Sequence, residues 1–400
     1  MTGLDDGRVT NEIIRSLQVP FPVENPVPNG PRTMNFLFFA GGASLHGMEI
    51  VLHSLMQGLN ERGHKATAIV SGWNNGDYPR MLRASGIDYR EVELGRFYLR
   101  RPNWSRGTYY SLGPALAEIR EMVTEIKPDW LIFSDVQALL FCSWILPTSN
   151  KALYLHSKPE GLLGYPFGFA VRRRLKRVIC VSDFIARRVE RTPLWASEVS
   201  VVHNGVAAPQ PERRRPARQP VHLGIIGTPS RQKQHLVLLR AVERLKKRLP
   251  PDSFRLSMVG DKQGRFVSAV EAKIAELGLE DMVDWTGFMS DRDEIYGSLD
   301  ILVAPAIDEG FGLSIVEAGA YGLPVVAARS GAFPEIVLEG RTGSLFESGD
   351  ASALADALER LILDDDLRAS MGLAGRARAL QAFTVDKMVD GFIRAMSGAR

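Results

Sequence analysis

The chain is predicted to fold as two doubly wound α/β domains, and three observations point there. Its 400 residues with 45% hydrophobic content fill two cores of ordinary size better than one oversized core. Short apolar runs alternate with stretches whose apolar residues recur at helical spacing, the pattern of βαβ units on a parallel sheet. The stretch from Pro209 to Pro220, rich in proline and arginine, continues neither pattern and divides the chain in two.

Residues 1–31 carry Pro20, Pro22, Pro26, Pro28 and Pro31 without a sustained apolar period, so they read as a flexible extension. The first domain, 32–207, opens with the apolar run Asn35 to Ala40, which ends in Gly41 and Gly42 and is followed by Ile50, Val51, Leu55 and Leu59 on one helix face. Gly63 closes that helix and a second strand starts at Ala66, which completes a βαβ unit. Further strands are expected at 130–133, 152–155, 178–181 and 199–202. A linker over 208–220 leads to the second domain, 221–382, with strands expected at 221–227, 255–259, 283–286, 300–304 and 324–327. In the tail, 383–400, Val385, Met388, Val389 and Phe392 fall on one helix face, which gives a helix able to dock back towards the first domain.

Composition narrows the setting. Cys142 and Cys180 sit in apolar runs with no metal-ligand spacing beside them, as buried thiols of a reducing compartment do. No leader pattern and no apolar run of about 18 residues is present, so a cytoplasmic protein is expected. The net charge of +3 concentrates in the N-terminal half, which admits peripheral contact of that half with an anionic inner membrane face. The basic runs at Arg172 to Arg177 and Arg213 to Arg215 lack interleaved aromatics, so nucleic acid is not expected as a partner.

The stretch Pro305 to Ala318 carries the chemistry. It follows the apolar run Ile301 to Ala304, which places it at the carboxyl end of a strand, where ligands of open α/β sheets bind. Gly310 and Gly312 let the backbone approach a ligand closely, and a helix that starts near Phe311 to Leu313 turns its first N–H groups and dipole towards an anion. Glu309 precedes the helix, where it can accept hydrogen bonds from sugar hydroxyls, and Glu317 lies two turns further in, within reach of a ribose. A nucleotide-sugar suits that layout.

With Glu309 and Glu317 separated by seven residues, the C-terminal half resembles the retaining glycosyltransferases of the GT-B fold (glycosyl transferases group 1, family 4). The likeness also takes in Gly227 with Lys233, the segment Met258 to Asp261, Trp285 to Phe288, and Gly322 to Ala327. In the first half it takes in Gly41-Gly42, Glu61 to Lys65, Val181-Ser182 and Asn204 to Val206. The resemblance implies two Rossmann-like domains with a cleft between them, the second holding a UDP- or GDP-sugar and the first the acceptor. It further implies that Lys233 contacts the diphosphate, that His156 lies beside the donor sugar, and that backbone groups near Gly287 and Phe288 read the base. Gly41 and Gly42 would bring the first helix towards phosphate or acceptor. The family has an arginine directly after the glycine matched by Gly227. Here Thr228 stands there, and Arg231 is the candidate for the missing charge.

The implied reaction moves a hexosyl group from a nucleoside diphosphate to an acceptor hydroxyl with retention, without a metal or a bound cofactor. The acceptor, whether a glycan, a lipid-linked sugar or a metabolite, is left open by the sequence. So is the oligomeric state. A sugar-nucleotide epimerase of the same architecture and a non-catalytic binding subunit are the competing readings, the latter because of Thr228. Asp291-Arg292-Asp293 looks like an Asp-x-Asp metal motif, but its position before Ile295 and Tyr296 is that of a helix cap. Asp364 to Asp366 reads as another helix boundary. The segment Arg96 to Trp104 mixes arginines with aromatics and is expected to shape the acceptor pocket or touch a membrane.

Overall fold

The structure is a computed structural model that describes residues 33–40, 45–93, 102–134, 136–142, 146, 150–158, 174–191, 198–209 and 219–398. The extension 1–31, Gly41, Gly42, most of Arg96 to Trp104, Arg172, Arg173 and the linker core with Arg213 to Arg215 lie outside them. Contacts divide the chain at Gly205/Val206 and again at Thr384/Val385. Each unit is an α/β domain, as the alternating pattern predicts.

The first domain carries β1 (Asn35–Ala40), α1 (Gly47–Glu61), β2 (Lys65–Ser71), β3 (Tyr89–Val92), β4 (Trp130–Phe133), β5 (Asn150–Leu155), β6 (Arg177–Cys180) and β7 (Glu198–Val201). These strands form one parallel sheet in the order β3-β2-β1-β4-β5-β6-β7. Strands β1 and β4 are buried over nearly their whole length, which is why they read as continuous apolar runs rather than alternating ones. Strand β3, Tyr-Arg-Glu-Val, leaves Arg90 and Glu91 exposed. It is an edge strand, and an edge strand tolerates charge, so no apolar run announces it.

The second domain carries β8 (Val221–Ile226), α2 (His235–Arg248), β9 (Phe254–Val259), β10 (Val283–Gly287), α3 (Arg292–Ser298), β11 (Ile301–Ala304), α4 (Leu313–Ala320), β12 (Val325–Ala328), β13 (Gly343–Phe346) and α5 (Asp365–Ala382). Its sheet runs β10-β9-β8-β11-β12-β13, again parallel. Strand β13 is the second strand absent from the sequence reading, and it too sits at an edge with only four residues. Leu223, Ile225, Leu256, Met258, Leu238, Val242, Leu354 and Leu358 join strands and covering helices in one core. Asp300 extends the β8–β11 pairing: its N–H donates to the His222 carbonyl at 2.8 Å, while its carboxylate accepts the His222 N–H at 2.9 Å.

The tail forms α6 (Val385–Ser397), which the contacts group with the first domain. Its apolar face carries Val385, Met388, Val389, Phe392 and Met396. The Phe392 ring stacks on Phe38 at 5.8 Å and meets Phe36 edge-on at 5.6 Å. Arg62 at the end of α1 bridges Asp386 and Asp390 at 2.6 and 3.3 Å. No helix among the described residues is long and apolar enough to cross a membrane.

Two buried histidines make stability depend on pH. His53 is fully buried against Ser85 (Nε2 to Oγ 2.7 Å), and burial pushes its pKa down to about 4. His235 at the start of α2 is pushed to about 4 by burial and by Lys233. Unfolded histidines titrate near 6.5, so between about pH 6.5 and 4 the unfolded chain binds protons that the native state refuses. Stability therefore falls as pH drops through that window. Urea midpoints are expected to decline from pH 7 to pH 4, and a level midpoint contradicts the assignment.

Candidate functional site

In the second sheet, β8 and β11 are neighbours whose connections leave in opposite directions, which makes their carboxyl ends the switch point where doubly wound sheets bind ligands. The loops that leave these strands are tied together. The Ile307 N–H donates to the Gln232 carbonyl at 2.9 Å, and the Gln232 amide reaches the Asp308 carbonyl at 3.4 Å.

Glu309 rides on a tightly held backbone. Asp308 adopts φ +55° with its N–H on Ser330 Oγ at 2.9 Å, and the Glu309 carbonyl accepts the Ala332 N–H at 3.0 Å. Gly331 lies directly behind. A Cβ there would fall 2.4 Å from the Glu309 carbonyl oxygen and 2.6 Å from its nitrogen, and φ at Gly331 is +61°. Glu309 Oε2 accepts from Lys233 Nζ at 3.0 Å. The stem of Lys233 crosses Gly227 so closely that a Cβ on Gly227 would meet Lys233 Cε at 3.1 Å. Glu309 and Lys233 keep 22% and 29% of their side chains exposed, so the pair is partly in contact with solvent.

Helix α4 starts beside this pair. Its cap is Gly312 at φ +108°, with no side-chain cap, whereas Asp291 and Asp364 cap α3 and α5 through their carboxylates. An unfilled helix start leaves first-turn N–H groups and the positive dipole end for an anion. Phe333 packs where a Gly312 side chain would go, at 2.7 Å from its virtual Cβ. Gly310 and Phe311 are buried, and the Phe311 ring meets Phe383 edge-on at 5.9 Å. Leu313 begins the helix, as its position after the two glycines predicts.

Glu317 is engaged on both oxygens. Arg292 Nε donates to Oε1 at 2.6 Å, and the Tyr296 hydroxyl donates to Oε2 at 2.5 Å. The Tyr296 ring stacks on Tyr321 at 5.0 Å, and the Tyr321 hydroxyl donates to Asp293. The Glu317 charge holds the Arg292 pKa above its ordinary value, and burial followed by Glu317 raises Tyr296 well above the tyrosine range. Sequence reasoning passed over Arg292 and Tyr296. Their spacing of four puts them on one face of α3, but nothing in a one-dimensional chain pairs that face with Glu317. The Asp291-Arg292-Asp293 triplet is a cap: Asp291 accepts the N–H groups of Asp293 and Glu294 at 2.8 and 3.1 Å.

Arg231 is exposed in the turn before α2, where its carbonyl accepts the Gln234 side-chain amide. Phe288, after β10, is 53% exposed. His156 follows β5 in the first domain, with its ring 4.3 Å from Tyr154 and a buried Nε2 that has no hydrogen-bond partner among the described residues. Burial lowers its pKa to about 3, so the imidazole is neutral at ordinary pH.

Residues 45–210 match the family described as Glycosyltransferase Family 4, and residues 211–378 match Glycosyl transferases group 1. A D-inositol 3-phosphate glycosyltransferase of Corynebacterium jeikeium is 37% identical over 158 residues, 38% of this chain. That match spans only 37% of the relative's own length. The lipopolysaccharide core biosynthesis glycosyltransferase LpsE of Rhizobium meliloti is 25% identical over 88% of this chain and 96% of its own. Among solved structures, Anabaena Alr3699/HepE in complex with UDP and glucose superposes with a TM-score of 0.76 at 22% identity, covering 91% of this chain and all of that one. A glycosyltransferase of Rickettsia africae gives 0.76 at 20% identity, over 92% of this chain and 99% of its own. At these identities the structural likeness speaks to the fold.

Proposed function

Because the chain carries a family 4 and a group 1 domain on two parallel-sheet units, and so belongs to the GT-B glycosyltransferase family, we propose that it transfers a hexosyl group from a UDP- or GDP-sugar to an acceptor hydroxyl with retention at the anomeric carbon. The observation that carries the reading is the Lys233–Glu309 pair next to the side-chain-free start of α4, at the switch point of the second sheet. The donor diphosphate would lie on the N–H groups of Phe311 to Leu313 and on the Lys233 ammonium. Negative charge grows there as the sugar leaves, so oriented donors stabilise the transition state more than the ground state. Glu309, released from Lys233 by the incoming diphosphate, would accept hydrogen bonds from the sugar. Gly227 and Gly310 are proposed to let the ligand approach the backbone closely, Arg231 is the proposed second cation, and Gly287 with Phe288 is proposed to read the base.

In this reading the acceptor proton passes to a donor phosphate oxygen on the departing face, and no carboxylate attacks the anomeric carbon. The family's His156 position is proposed to act as a neutral imidazole, since burial holds it unprotonated down to about pH 3. The triplet Asp291 to Asp293 is committed to capping and to Tyr321, which supports a metal-independent reaction. Turnover is expected to survive excess EDTA. A loss restored by Mg²⁺ or Mn²⁺ contradicts it.

The test is a thermal-shift screen with UDP- and GDP-sugars, followed by assay of nucleoside diphosphate released with candidate acceptors. At a ligand concentration of 100 Kd, binding to the native state adds about 2.7 kcal/mol, which is a readily measured shift. Acceptor-dependent release supports transfer, whereas acceptor-free isomerisation identifies an epimerase. Binding without either leaves a non-catalytic subunit, and no shift with any donor overturns the reading.

A further inference from the structure

We propose that Trp73 is the platform on which a sugar ring of the acceptor stacks, so that the acceptor hydroxyl belongs to a carbohydrate rather than to a lipid alcohol. The assignment rests on the transferase reading above and names the chemical class of its second substrate.

In the first sheet β1 and β4 are the neighbours whose connections leave in opposite directions, and β2 lies beside β1 with Val70 opposite Ala40. Trp73 stands three residues past Val70, at the carboxyl end of β2, the side on which open α/β sheets bind their ligands. It is 37% exposed, and it is the one exposed large apolar side chain among the described residues of the first domain. Its backbone N–H donates to Ser71 Oγ at 3.2 Å, whereas the indole N–H donates to no described residue.

The loop that carries this ring is braced from both ends. The Gly72 N–H donates to the Val92 carbonyl at 2.7 Å, and the Asn74 amide donates to the Ser71 carbonyl at 2.6 Å and to Glu91 at 3.1 Å. Asn74 Oδ1 in turn accepts the Gly76 N–H at 2.6 Å, and Gly76 turns the chain at φ +84° into the short helix Asp77–Ala84. An aromatic ring displayed on a loop that is already ordered costs little further entropy when it binds.

A pyranose ring presents C–H groups on its faces and hydroxyls at its edge. The electron-rich face of an indole attracts the former, and planar amides and carboxylates exchange hydrogen bonds with the latter. The loop offers both. Asn75 is exposed beside Trp73, with its amide on Asp77 Oδ2 at 2.5 Å and its Oδ1 on the Asp77 N–H at 3.2 Å. An alkyl chain requires a continuous apolar lining, which one indole among amides does not supply. A phosphate would require a cation, and Arg80 of the same turn is engaged by the Asp77 carboxylate.

The experiment applies saturation-transfer NMR to the full chain and to Trp73→Ala and Trp73→Phe, with UDP or GDP present in excess. The probes are the methyl glycosides of glucose, galactose and mannose, with sorbitol as a polyol without a ring and 1-hexanol as an alkyl alcohol. Melting temperatures with and without nucleotide serve as the folding control and as the donor arm. At least one glycoside is expected to receive saturation from wild type, most strongly at the C–H protons of one ring face, with sorbitol and hexanol at background. Trp73→Ala should weaken that glycoside about fivefold, the worth of one aromatic stack, and Trp73→Phe about twofold, while the nucleotide shift stays that of wild type in both. With the nucleotide shift intact, a glycoside signal unchanged in Trp73→Ala, or absent from wild type, overturns the platform alone. A hexanol signal above that of every glycoside overturns the carbohydrate assignment. A folded wild type with no nucleotide shift overturns the transferase reading, and the acceptor platform falls with it.

Discussion

Lys233→Ala is expected to lower kcat for sugar transfer by about 100- to 1,000-fold, the loss seen when one preorganised donor to a developing negative charge is removed. Its stability should barely move. The Lys233–Glu309 pair is partly exposed on both sides, and such pairs contribute about 0–1 kcal/mol, a shift of at most about 4 °C in a domain of this size. That separation makes the variant informative, because a damaged fold and a damaged site give different signatures. Lys233→Arg should restore part of kcat, since the charge returns on a bulkier head above Gly227. Steady-state kinetics beside a melting curve checks both. Wild-type turnover in a folded Lys233→Ala protein removes the ammonium from the mechanism.

The second large effect is expected from a position that carries no functional group. Gly331→Ala puts a methyl 2.4 Å from the Glu309 carbonyl oxygen and 2.6 Å from its nitrogen, with φ at +61°. The atoms it meets are backbone, so no flexible side chain can swing aside. A left-handed alanine costs about 1–2 kcal/mol, and overpacking adds about 1–3 kcal/mol. Together they are expected to lower the melting temperature by roughly 5–15 °C. Because the strain falls on the residue that carries Glu309, the surviving folded protein should also bind donor more weakly. A variant with wild-type stability and donor affinity shows that the loop yields without consequence.

The central strands were legible because burial on both faces demands uninterrupted apolar residues, and Ile301 to Ala304 or Phe36 to Ala40 can satisfy that in few other ways. The two unpredicted strands, Tyr89–Val92 and Gly343–Phe346, lie at sheet edges, where one side meets solvent and the composition is free. In the site, Glu309 and Lys233 could be singled out from glycine placement and a family likeness, and the fold brings them to 3.0 Å. The Arg292–Glu317–Tyr296 clamp was not legible. It forms across two helices through side-chain directions that periodicity does not encode.

The grouping of Val385–Ser397 with the first domain has a consequence for biosynthesis. Phe392 fills the space beside Phe36 and Phe38, so the half of the protein that leaves the ribosome first is the last to be completed. Until those final turns emerge, an aromatic seam on the nascent chain stays uncovered while the intervening domain folds. A nascent chain halted before Val385 should accordingly be protease-sensitive in its earlier half and protected in its later one.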